Sequence, residues 1–188
     1  MLKVCERADT PGRSEIAEAR SQTALTPIIE NDRVAVWDVT DSAPARALDA
    51  VVVSLSGSGA FLPRGAPPKI AGRSIVIDLK DYSLAPIENT SGYPLAFPRP
   101  GVTRILENER VIVWDCTWTS GVATPMHFHD KDVVALFLED GDLKSTTLDG
   151  QSVVNPHAPG EVRFALRNRT HAEILVRGKQ HAIFTELK

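Results

Sequence analysis

The sequence predicts an all-β protein built from two tandem copies of one supersecondary unit. Residues 30–40 and 107–117 are identical at eight of eleven positions, at a constant offset of 77. Each segment runs into a stretch rich in β-branched and aromatic residues, which is typical of strands. Turn clusters of Gly, Pro, Asp and Asn recur about every ten residues, a spacing that favours an antiparallel sandwich or barrel. The repeat itself indicates two copies of that unit.

The repeat continues more weakly into a second pair of strands. Residues 49–57 and 132–141 are both apolar runs that end at a turn glycine. Val133 to Leu138 is apolar at every position, so both faces of that strand should be covered. A barrel strand that packs against a second barrel or sheet satisfies this requirement.

Composition limits the classes of function. The chain has 188 residues, a net charge of −3 and no long basic run, so we expect no nucleic-acid partner. No segment approaches the ~18 apolar residues of a membrane span, and we expect no membrane association. Residues 1–25 do not resemble a signal peptide, which predicts a cytoplasmic protein.

The N-terminal segment 1–27 is expected to be an arm. Ser14–Arg20 could form one or two helical turns with Ser14 as the cap, or the segment could be loose. Cys5 lies in this arm. Cys116 alternates with Trp114 and Trp118 and is expected to be a buried, reduced thiol.

The histidines point to a metal site. His127-Phe128-His129 places two imidazoles at i and i+2 of a predicted strand, so they face the same side while Phe128 faces the other. Two such imidazoles can chelate one ion. Gly121 precedes His127 by five intervening residues, and Gly141 follows in frame.

This spacing resembles the first motif of the cupin superfamily, in which a glutamate lies at the position of Val134. The second cupin motif is matched by Gly160 and His171, with Asn168 in place of a glycine. The resemblance covers residues 105–187 and extends through the repeat to about residue 28. It implies a double-stranded β-helix, or jelly-roll, barrel in each copy, and so a bicupin.

The resemblance also implies a metal held by His127, His129 and His171, with Fe, Mn, Ni or Zn as candidates. Three imidazoles leave coordination positions open for water or substrate. Cupin-like thiol and diketone dioxygenases are similar in using three histidines. A small-molecule metalloenzyme with dioxygenase-like chemistry is therefore the first hypothesis, and isomerase or lyase chemistry would need only a Lewis acid.

The N-terminal copy contains no histidine. We therefore divide the chain into the arm 1–27, a degenerate half 28–103 and a cupin half 104–188 with the site. The degenerate half is expected to be a scaffold or dimerisation half that covers apolar sheet surface, with a ligand pocket there as an alternative. A homodimer is expected because it would cover exposed sheet edges.

Five residues are candidates for a substrate pocket around the metal. Asp132 could place a carboxylate near the ion, or hold the turn after the second histidine, and the second role is favoured. Arg163 could bind an anionic substrate group or form a surface ion pair. The other candidates are Met126, Val134 and Arg167.

A non-catalytic small-ligand-binding module is the second hypothesis, because one scaffold carries many functions. An enzyme that transfers protons should place an acid or base beside the metal, whereas a binding module need not. The candidates near the motifs are Asp130, Lys131, Asp132 and Glu173. No helix-turn-helix pattern supports a transcription regulator.

Overall fold

The computed structural model describes residues 26–70 and 72–188, and these residues form strands and loops without a helix. The predicted all-β class is confirmed. Cys5 and the predicted helical turns of the arm lie outside the described residues. The strands are β1 (Ile29–Glu30), β2 (Val34–Thr40), β3 (Asp49–Ser54), β4 (Gly59–Leu62), β5 (Arg73–Leu79), β6 (Val102–Glu107), β7 (Val111–Trp118), β8 (Ala123–His129), β9 (Asp132–Phe137), β10 (Gly141–Thr147), β11 (Ser152–His157), β12 (Val162–Ala165), β13 (Arg169–Gly178) and β14 (Gln180–Leu187).

The strands form three antiparallel sheets stacked in layers. We call them the N sheet (β1-β2-β5-β3-β4), the middle sheet (β6-β7-β14-β9-β12) and the histidine sheet (β8-β13-β10-β11). The middle and histidine sheets enclose an aromatic core that includes Trp114, Phe137 and Phe184. Strands β7 to β14 thus make a two-sheet jelly roll, with neither sheet closed into a continuous barrel.

The N-terminal half differs from the second barrel that the repeat predicts. The described part of residues 26–101 forms one five-stranded sheet and no second sheet of its own. The two tandem barrels are therefore not confirmed. The inner face of the N sheet instead packs on the middle sheet through a β-branched core that includes Val36, Val51, Ile77, Val113 and Leu136.

The N sheet and the middle sheet nevertheless share one plan. The strand order β1-β2-β5-β3-β4 is reproduced as β6-β7-β14-β9-β12. The register is reproduced too, since Val34 pairs with Leu79 and Val111 pairs with Leu187. Every residue of β9 is buried. The uninterrupted apolar run that begins at Val133 predicts this, because both faces of the middle sheet are covered at β9.

The repeated Glu-Asn-x-Arg segment holds the two sheets together. Asn31 Oδ1 accepts the backbone N–H groups of residues 33 and 34, and Asn108 Oδ1 does the same for residues 110 and 111. Each turn then extends its arginine to the other half. Arg33 pairs with Asp132 at 3.1 Å, and Arg110 pairs with Asp49 at 3.0 Å.

The described residues contain no helix with the length and hydropathy of a membrane span.

Candidate metal centre

Strand β8 positions the first two histidines of the site. His127 and His129 are buried on its inner face, as their i, i+2 spacing predicts. Phe128 faces the other way, and its backbone N–H and C=O bond to Pro94 and Ala96 of the connection between the halves. This connection therefore runs beside β8 at the edge of the histidine sheet.

Strand β13 brings the third histidine to the first two. It pairs antiparallel with β8, and His171 lies directly opposite His127. The Nε2 atoms of His127 and His129 are 3.2 Å apart, and those of His129 and His171 are also 3.2 Å apart. The structure thus joins residues 42 positions apart in sequence into one cluster of ring nitrogens.

The chemistry of these nitrogens fits a divalent transition metal. His127 Nδ1 lies 2.8 Å from the carbonyl oxygen of Pro125, which only accepts, so this nitrogen carries the proton and Nε2 keeps its lone pair. Burial lowers the pKa of His127 and of His171 to about 4. Burial also lowers the pKa of His129, so all three rings are neutral at pH 7 and can act as ligands.

Two charged residues flank the cluster. Arg99 Nη1 donates to His127 Nε2 at 3.2 Å, and its guanidinium lies over the rings of Phe97 and Trp118. Glu173 follows His171 by two positions and lies 3.8 Å from its Nε2. Glu173 also lies 3.6 Å from Arg99 and accepts a hydrogen bond from Trp118 Nε1 at 3.2 Å.

A cavity of about 260 Å³ opens beside the histidines between the two sheets of the jelly roll. Its polar lining includes Ser145, Asn155 and His157, and its apolar lining includes Phe137 and Phe164. Ser145 Oγ lies 3.2 Å from His171 Nδ1 and so orients the third ring. The cavity gives a small molecule access to the cluster.

Two of the expected pocket residues, Asp132 and Val134, do not line the cavity. Val134 lies on the opposite face of β9 and packs in the core between the N sheet and the middle sheet. Asp132, two positions earlier on the strand, shares that face and accepts hydrogen bonds from Arg33 and from the backbone N–H of Arg167. The physical reason is strand alternation: Val133, one position away, is the residue that lines the cavity.

The other three expected pocket residues are divided between the cavity and the outside. Arg163 lines the cavity and is paired with Glu161 at 2.5 Å. Arg167 donates to the carbonyl of Ala85 at 2.7 Å and lines a different cleft. Met126 lies on the same face of β8 as Phe128, away from the histidines.

Arg99 and Arg169 were not predicted from the sequence, and Glu173 was named only as one of four acid/base candidates. Arg99 belongs to a connection without a motif, so no sequence signal pointed to it. Arg169 and Glu173 flank His171 at i−2 and i+2, and the alternation argument that joined His127 to His129 would have found them. Both line the cavity.

The N sheet carries a larger groove of about 570 Å³ on its outer face, lined by residues such as Ser54, Phe61 and Ser74. Its lining contains no histidine. A ligand pocket in this half stays a prediction.

No protein-family model matches the chain, and no curated protein matches its sequence. Solved structures do resemble it. A cupin domain from Bordetella pertussis Tohama I is 26% identical over 48% of this chain and 97% of its own, with a TM-score of 0.43. A cupin 2 conserved barrel domain protein from Leptotrichia buccalis is 13% identical over 87% of this chain and 88% of its own, with a TM-score of 0.47.

The DMSP lyase DddQ from Ruegeria pomeroyi DSS-3 is 13% identical over 55% of this chain and 56% of its own, with a TM-score of 0.40. Because every one of these TM-scores is below 0.5, the likenesses do not by themselves assign a family or an activity.

Proposed function

We propose that this protein is a cupin-type metalloprotein that holds one divalent transition metal on His127, His129 and His171. The observation that carries the proposal is the convergence of three neutral Nε2 atoms, on the buried His127 and His129 and the half-buried His171, with two contacts of 3.2 Å. The two spaced glycine–histidine motifs and the jelly-roll strand order support the same family. Fe, Ni and Zn suit three imidazoles, and the resemblance to cupins adds Mn as a candidate.

We further propose that the site is catalytic and acts on a small molecule. Glu173 supports an enzyme, because it places a carboxylate within 3.8 Å of a histidine of the site, where it can hold or move a proton. The other acid/base candidates are engaged elsewhere: Asp130 is paired with Lys131 at 2.6 Å, and Asp132 with Arg33. A bound metal would supply Lewis acidity or, as iron, dioxygenase-like oxidation.

Metal analysis tests the metal-binding part. Protein purified without added metal should contain one equivalent by elemental analysis, and His127→Ala and His171→Ala should each lose it. His181→Ala is the matched control, because that imidazole pairs with Asp115 at 2.9 Å, on the middle sheet. Metal retained in both site variants, or lost equally in the control, contradicts the proposed site.

Turnover tests the enzyme against the non-catalytic binding module. The iron-loaded protein is assayed for oxygen uptake with diketones, thiols and aromatic diols, and the zinc-loaded protein for isomerase and lyase activity on sugar-like and keto acids. An enzyme should show turnover that falls at least about 100-fold in Glu173→Gln, since general acid–base groups contribute 10²–10⁴-fold. Ligand binding without turnover would favour the binding module.

The N sheet is proposed to be a reduced second copy of the cupin unit, within the boundaries 28–103 and 104–188. Its strand order and register match the middle sheet, which supports duplication followed by loss of one sheet. A homodimer and a cytoplasmic location are proposed with it. Light scattering during gel filtration measures the first, and cell fractionation the second.

A further inference from the structure

Arg169 is a cation beside His129 and His171 that forms no ion pair in the described part of the chain. It lines the cavity and lies on the same face of β13 as His171. Its Nε donates to the carbonyl of Leu166 at 2.5 Å. In residues 26–70 and 72–188, no carboxylate lies within 4.0 Å of its guanidinium, which leaves its remaining donors to the cavity.

The other two arginines of the site are matched by glutamates. Arg163 pairs with Glu161 at 2.5 Å, and Arg99 lies 3.6 Å from Glu173. Three neutral imidazoles contribute no charge, so Arg169 leaves the cavity with a net positive charge even before a metal binds. Glu173 and Asp132 attract the half-buried Arg169, but neither forms an ion pair with it within 4.0 Å. A charge withdrawn from water is costly unless it is paired. The cavity therefore lacks one closely paired anion.

The size and lining of the cavity restrict that partner. At about 260 Å³ it is smaller than the ~300–1,000 Å³ of sites for drug-sized ligands. Phe137 and Phe164 lie on its wall and offer apolar contact to a short carbon skeleton. Planar guanidinium groups match carboxylates with two parallel hydrogen bonds.

We propose that the cavity takes a small organic monocarboxylate, with Arg169 as the residue that binds the carboxylate. The inference deepens the proposed function, since the same site would present the rest of that molecule to the metal. Arg163, which the sequence nominated for this role, is already neutralised by Glu161 and serves as the comparison.

Calorimetric titration tests the inference. The zinc-loaded full chain is titrated with butyrate and benzoate, with the uncharged amide of the same shape for each, and with inorganic phosphate. The metal-free protein is titrated in parallel. We expect each acid to bind at least about tenfold more tightly than its amide.

Arg169→Gln should raise the Kd for the acids by about 30-fold or more, because truncating one partner of a buried charge pair has effects of that size. The Kd for the amides should change little. Arg163→Gln, the matched control, should change the Kd for the acids less than about threefold, because that side chain is 42% exposed and already paired. Circular dichroism and metal content verify that each variant is folded and loaded.

A second measurement needs no variant. Phenylglyoxal modifies accessible arginines, and mass spectrometry locates the adducts. Butyrate should protect Arg169 in the wild-type protein, and butyramide should not.

The outcomes separate the two proposals. Equal affinity for acid and amide, no effect of Arg169→Gln, or tighter binding of phosphate than of either acid would overturn the carboxylate assignment and leave the metal site intact. Absence of metal, together with acid binding that depends on Arg169 in the metal-free protein, would support the carboxylate pocket and reject the proposed metal function.

Discussion

The paired sheets provide a prediction with a control built into the molecule. Asp132→Ala removes the carboxylate that Arg33 Nη1 contacts at 3.1 Å, and Asp49→Ala removes the equivalent contact of Arg110 at 3.0 Å. Each carboxylate also accepts one backbone N–H, at 2.8 Å for Asp132 and 2.9 Å for Asp49. The two substitutions therefore delete the same set of interactions in two places.

Two differences separate the two places: burial, and a second carboxylate, Asp81, that stays 3.5 Å from Arg110 when Asp49 is removed. The Arg33 and Asp132 side chains are 9% and 2% exposed, whereas those of Arg110 and Asp49 are 27% and 24% exposed. Removing one partner of a buried pair leaves an uncompensated charge and costs about 3–5 kcal/mol. Water replaces the partner in a half-exposed pair, which costs about 0–1 kcal/mol. We expect Asp132→Ala to be the more destabilising by about 2–5 kcal/mol.

Urea unfolding followed by tryptophan fluorescence measures this difference, and the slope of the free energy of unfolding against urea should be the same in both variants. For a chain of this size the melting temperatures should differ by about 4–20 °C. Metal content should be that of the wild-type protein in both variants, because Asp132 faces the N sheet and not the histidines.

Equal stability of the two variants would refute the burial argument. Loss of metal from Asp132→Ala without loss of stability would refute the placement of Asp132 and return it to the metal site.

Three further predictions follow from the same contacts. Val134→Glu introduces the glutamate of the cupin motif and should lower the free energy of unfolding by more than about 4 kcal/mol, because Val134 faces an apolar core. Added zinc should not restore the stability of this variant. Recovery of stability with zinc in urea titrations would contradict the prediction. Burial raises the pKa of Glu186, which accepts from Trp114 Nε1 at 2.7 Å. A raised folded-state pKa means that the folded state binds the proton more tightly, so this contribution to stability is present at low pH and is lost as the pH rises from the ordinary value of about 4.5 through the raised one. Glu186→Gln should therefore gain stability relative to the wild-type protein as the pH rises from 4 to 7 in urea titrations, and a constant difference would contradict the shift. Burial raises the pKa of the Cys116 thiol as well. In a Cys5→Ser variant, iodoacetamide should therefore label Cys116 only in urea, which mass spectrometry measures. Rapid labelling of the folded protein would refute the burial of Cys116.

The sequence determined the features that depend on local pattern. Alternation along β8 set His127 and His129 on one face, and the uninterrupted apolar run of β9 predicted a strand covered on both sides. The repeat predicted two related units, and the N sheet and the middle sheet do share one strand order. His171 was nominated by the resemblance of the segment from Gly160 to His171 to the second cupin motif.

Only the tertiary structure decided the features that depend on which sheet covers which face. Strand alternation predicts that Val133 and Val134 face opposite sides of the sheet, but it does not predict which side faces the cavity. A register shift of one residue would exchange the positions of Val133 and Val134. Alternation also could not show that the N-terminal half forms a single sheet. A strand has the same apolar pattern whether its inner face is covered by a sheet of its own half or by a sheet of the other half. Arg99 reaches His127 through a connection whose path is set by distant contacts. Arg169 is distinctive only because no carboxylate of the described chain lies within 4.0 Å of its guanidinium. Such facts are properties of the folded arrangement and have no local signature in the sequence.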